Sequence, residues 1–67
     1  MNNSNHALRL QFIEAYLRDG AESSTYSNLK NQLYQNGYSR WEVIGMLVES
    51  SLYGGLDNFY RKHPNAR

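Results

Sequence analysis

The sequence predicts an all-α fold: a small bundle of three main helices plus a short C-terminal helix. Three observations carry that reading. Apolar residues recur at spacings of three and four, and hydroxyl and glycine residues stand where helices would start and stop. No run alternates apolar and polar residues for more than a few positions, as a half-buried strand would. With 67 residues the chain has room for one helical domain over 1–67, with 1–5 and 64–67 expected to fray.

In the first helix, predicted over about 6–18, Leu8, Phe12, Ile13, Tyr16 and Leu17 share a face while Arg9, Gln11, Glu14 and Arg18 fall elsewhere. Ser4 or Asn5 can cap its start and Gly20 can stop it. The second helix opens in Ser23-Ser24-Thr25, repeats apolar groups at Tyr26, Leu29, Leu33 and Tyr34, and ends before Asn36-Gly37. The third has the sharpest start in the chain. Ser39-Arg40-Trp41-Glu42 has the spacing of a capping box, with Tyr38 and Val43 placed as a hydrophobic staple, so the helix should begin at Arg40. Its buried stripe is read as Val43, Ile44, Leu47, Val48 and Ser51 or Leu52, and Gly54-Gly55 lets the chain turn away. The segment from Leu56 to His63 shows no complete stripe; Asp57 can cap a turn or two before Pro64 ends them. The expected core is Phe12, Ile13, Leu17, Leu29, Leu33, Val43, Ile44, Leu47 and Leu52.

A chain of this length buries only about 60% of its unfolded surface, so its stability is expected to be marginal. It holds no cysteine, and His6 and His63 stand far apart in the sequence, so neither a disulfide nor a zinc staple is expected. Help from a partner or from a second copy is the alternative, and dimerisation would be a natural way to bury surplus tyrosines. No stretch approaches the ~20 apolar residues of a membrane span, and the polar start Met1-Asn2-Asn3-Ser4-Asn5 does not resemble a signal peptide. The expectation is a cytoplasmic protein without membrane contact.

The same residues argue against catalysis. His6 and His63 have no ligand spacing with each other or with an acid. The serines precede helices, which marks them as caps rather than nucleophiles. Glu42 belongs to the capping box and Glu49 lies off the expected apolar stripe, so neither reads as a desolvated acid–base group. Gly54-Gly55 lacks the strand and lysine of a phosphate loop. No cofactor, metal or catalytic residue is expected.

Binding is the remaining class. Charge divides unevenly: residues 1–58 hold four basic against six acidic side chains, while residues 59–67 hold Arg61, Lys62 and Arg67 and no acid. Six tyrosines and a tryptophan on so small a chain put aromatic surface near solvent, where such rings serve as contact residues. Tyr34, Tyr38, Arg40 and Trp41 should gather at the corner between the second and third helices, with Trp41 either covering that corner or anchoring a partner. The expected function is a non-enzymatic regulator that binds and modulates or inhibits another protein through this aromatic and polar helical surface.

The alternative is a compact helix-turn-helix regulator that binds nucleic acid. The turn from Leu33 to Ser39 could set a recognition helix at Arg40 and Trp41, and Tyr60, Arg61 and Lys62 could add backbone contact and base stacking. Against it, that helix offers Arg40 as its one cation and turns Glu42 and Glu49 toward the phosphates, while Leu33 stands where a tight crossing favours a small residue.

The order of residues from Leu29 to Asp57 resembles one three-helix unit of the RecX recombination regulators. The matching positions are Leu29, Leu33, Gly37 and Tyr38, then Ser39, Val43, Met46 and Leu47, and finally Gly54, Leu56 and Asp57. Ser50 stands where the family tends to bury a leucine, and full members carry several tandem units. The resemblance implies an adaptor that lodges against a RecA filament and alters its assembly without catalysis of its own.

Overall fold

The computed structural model describes residues 3–66, with side chains from His6 onward. Four α-helices and a terminal 3-10 turn follow one another, and no strand occurs among the described residues: α1 (Asn3–Asp19), α2 (Ser24–Gln35), α3 (Arg40–Tyr53), α4 (Leu56–Lys62) and the turn Pro64–Ala66. The all-α bundle of three main helices and a short fourth is therefore the observed architecture.

Helix α1 is the hub, meeting each of the other elements. Leu8, Phe12, Ile13 and Ala15 are its buried positions, and Phe12 stacks on Tyr26 of α2 with ring centroids 5.0 Å apart. The helix starts at Asn3, ahead of the expected Ser4 or Asn5 cap, so those two residues lie within it.

Serine and glycine chemistry fixes the corners. Ser23 caps α2 by accepting the Tyr26 N–H at 3.0 Å. The C-terminal end of α2 is a Schellman turn: the Tyr38 N–H donates to Leu33 O and the Gly37 N–H to Tyr34 O, both at 3.1 Å. Gly37 takes φ +94°, a left-handed value that a side chain would oppose. The capping box then closes as expected, the Glu42 N–H donating to Ser39 Oγ at 3.2 Å and the Ser39 N–H to Glu42 Oε1 at 2.7 Å.

The glycine pair after α3 folds α4 back so that Phe59 becomes fully buried, with its ring 5.3 Å from that of Tyr53 in an edge-on contact. Asp57 does not cap α4. Gly55 holds the cap position without a side-chain bond, and Asp57 lies inside the first turn, where its charge faces the positive helix end. After α4, Pro64–Ala66 form a 3-10 turn, with Ala66 packed against the core.

The core departs from expectation in α3. Ile44 and Leu52 were expected inside but are exposed, as is Val48, whereas the buried positions are Val43, Met46 and Ser50. Leu17, Leu29 and Leu47 pack at the core margin, and Leu8, Ala15, Tyr26 and Phe59 join the interior. The physical reason is that α3 carries apolar groups around nearly its whole circumference, so a helical period fits two opposite faces equally well. Ser50 can be buried because its hydroxyl donates to Met46 O at 2.8 Å, within its own helix.

Candidate interaction surface

With Val43, Met46 and Ser50 turned inward, the far side of α3 faces solvent. Trp41 is 80% exposed, Ile44 44%, Val48 57% and Leu52 81%. At about 100° per residue, positions 41, 45, 48 and 52 fall in a strip about 60° wide, with Ile44 on its edge. The result is an apolar ridge about three turns long, and it begins between the two residues of the capping box, Ser39 and Glu42. An isolated exposed leucine needs no explanation, but a row of large apolar side chains headed by tryptophan is more apolar surface than one helix face usually leaves to solvent.

The four residues expected at the α2–α3 corner part company. Tyr34 is 39% exposed at the end of α2, and Arg40 and Trp41 are exposed at the start of α3. Tyr38 is half-buried and packs against the core, serving as the residue that follows the Schellman glycine. Val48 and Leu52 extend the surface beyond the corner. Their spacing fits an interior stripe equally well, so the sequence alone does not mark them as surface residues.

The expected basic contact is also divided. Tyr60 is half-buried, its ring edge-on to Phe59 at 5.7 Å and its hydroxyl hydrogen-bonded to Glu14 across the bundle. Arg61 and Lys62 are exposed at the end of α4 and line a shallow depression with Glu49, Leu52, Tyr53 and Asn58. That depression borders the far end of the ridge at Leu52.

A chain of polar side chains ties the bundle together behind this depression. Arg9 Nη2 lies 3.3 Å from Glu49 Oε1, and the Tyr53 hydroxyl reaches Glu49 Oε2 at 3.3 Å and His63 Nε2 at 2.9 Å. Burial, reinforced by the neighbouring Glu49 charge, pushes the Tyr53 phenol above its ordinary value. That direction keeps the phenol protonated and suits a hydrogen-bond linker, not a base. Among the described residues no three His, Asp or Glu side chains converge as metal ligands would.

No family model, curated protein or solved structure matches the chain. No helix among the described residues is long and apolar enough to cross a membrane.

Proposed function

We propose that this chain is a small non-enzymatic regulator that binds another protein, and modulates or inhibits it, through the outer face of α3. The exposure of Trp41 in line with Ile44, Val48 and Leu52 carries this reading. A tryptophan that the fold does not use, on a rigid helix, supplies a large apolar contact with little ordering to lose on binding. Tyr34 and Arg40 at one end add the amphipathic and charged rim that such surfaces carry. A cytoplasmic setting is part of the proposal.

The same face weighs against the helix-turn-helix alternative. A recognition helix would present this ridge to the major groove, where affinity depends on neutralising phosphates. Exposed Arg61 and Lys62 remain the residues on which a nucleic-acid contact would rest.

The test places a photo-crosslinking amino acid at position 44, on the edge of the ridge, and captures targets from host lysate. Trp41→Ala should abolish the captured set while leaving the helical circular-dichroism signal intact. An unchanged set from a folded Trp41→Ala protein would refute the reading. Binding to generic duplex DNA at low salt that is lost at high salt would favour the alternative. The resemblance to RecX regulators makes a RecA filament the first defined target to try. Under this proposal its assembly rate changes on addition of the chain, and Trp41→Ala blunts the change.

A further inference from the structure

Gly45 lies on the exposed ridge between Trp41 and Val48, in the interior of α3, and its backbone gives no reason for a glycine. It is absent from the positive-φ positions, and a Cβ placed there would meet nothing within 4 Å. A glycine inside a helix costs about 1 kcal/mol relative to alanine. Within the monomer nothing offsets that cost. A second helix approaching closely at this point would.

The order of residues along the ridge says which helix. Trp41, Gly45, Val48 and Leu52 are spaced four, three, four, so the row reads with the same intervals from either end. A two-fold axis crossing α3 between residues 46 and 47 carries position 41 onto 52 and position 45 onto 48. In the resulting antiparallel pair Trp41 of each copy covers Leu52 of the other, and Val48 fills the notch at Gly45. These are the layers of a short antiparallel coiled-coil seam, and the contact is isologous, with the same patch used twice.

From this match we infer that, in the absence of its target, the outer face of α3 is covered by a second copy of the chain in antiparallel register. The inference rests on the reading of that face as a binding surface and adds its regulation: a target must displace the second copy, so capture and self-association exclude one another. The area agrees with a weak, exchangeable dimer. Trp41, Ile44, Val48 and Leu52 expose roughly 500 Å² per copy, and two copies together approach the ~1,000 Å² at which specific interfaces begin. On one flank the pairing brings Glu42 near Glu49 of the other copy. Arg9, 3.3 Å from Glu49, places a guanidinium on that flank to offset the like charges.

The chain contains no cysteine, so engineered thiols report on the register without background. Eleven residues of helix separate positions 41 and 52, about 16 Å, so neither thiol can meet its own copy across an antiparallel seam. Leu52→Cys and Trp41→Cys proteins are equilibrated in a glutathione redox buffer, singly and mixed. The mixture should yield the covalent heterodimer, and each variant alone should form no disulfide-linked dimer. Analytical ultracentrifugation of the unmodified chain should show a monomer–dimer equilibrium that Val48→Asp shifts at least tenfold toward monomer, with helicity unchanged. Cross-linking of a single variant as readily as the mixture, or a wild-type monomer throughout the micromolar range, would overturn the inference. If capture of a target still depends on Trp41 in that case, the binding reading stands and only self-pairing falls.

Discussion

The Tyr53 hydroxyl stands 2.9 Å from His63 Nε2, so the last residue of α3 is bonded to the residue that caps α4. Because the same hydroxyl reaches Glu49, and Glu49 pairs with Arg9, one phenol connects α1, α3 and the C-terminal segment. Tyr53→Phe keeps the ring against Phe59 and removes that link. The expected cost is about 1 kcal/mol, concentrated in faster amide exchange across α4 and seen as a lower urea midpoint.

Alkaline pH should act on two tyrosines. Burial raises Tyr26, with Tyr16 and Tyr34 adding to it, and burial with the Glu49 charge raises Tyr53. In the unfolded chain both phenols ionise near their ordinary value of about 10, while the folded state holds its protons to higher pH. Stability is therefore fully present below that ordinary value and is lost as pH rises through the folded values. Urea midpoints should stay level up to about pH 9.5 and then fall, and Tyr53→Phe should make the fall shallower.

Gly45 within α3 and Gly54 at its C-cap should respond to alanine with opposite signs. Gly54 holds φ +80° at the helix end, so Gly54→Ala should cost about 1–2 kcal/mol. Gly45 is helical with open space around it, so Gly45→Ala should add up to about 1 kcal/mol when thermal melts are run on dilute protein.

The capping box and the exposed tryptophan give a further contrast. Ser39→Ala should lower stability by about 1 kcal/mol, a fall in Tm of roughly 5 °C. Trp41→Ala should leave the melt within about 0.5 kcal/mol of the parent, and Phe59→Ala should cost about 3–5 kcal/mol. A Trp41→Ala protein that failed to fold would place that ring in the core.

Much of the fold was legible because it was written locally. Ser39 and Glu42 close the box that their spacing announces, Gly37 ends α2 in the left-handed region, and Leu33, Phe12 and Ile13 are interior as their period requires. What escaped depends on contacts distant in sequence. Phe59 belongs to a seven-residue helix with no stripe of its own and becomes a core residue only because the glycine pair folds it onto α1 and α3. In α3 the choice between two apolar faces is made by neighbouring helices, and they select the face that contains a serine. The same ambiguity reaches the outer face: the sequence leaves Trp41 open between covering the corner and facing solvent, and its period fits Val48 and Leu52 to the interior, whereas all three are exposed.

Helix α3 is thus a wall with two finished sides, and substitutions on each should be read by different assays. A saturation survey scored for protein abundance would pick out one comb of positions, 43, 46 and 50; scored for association, it would pick out the interleaved comb of 41, 48 and 52. Such a separation would let the inner side hold the architecture constant while the outer side drifts toward new company.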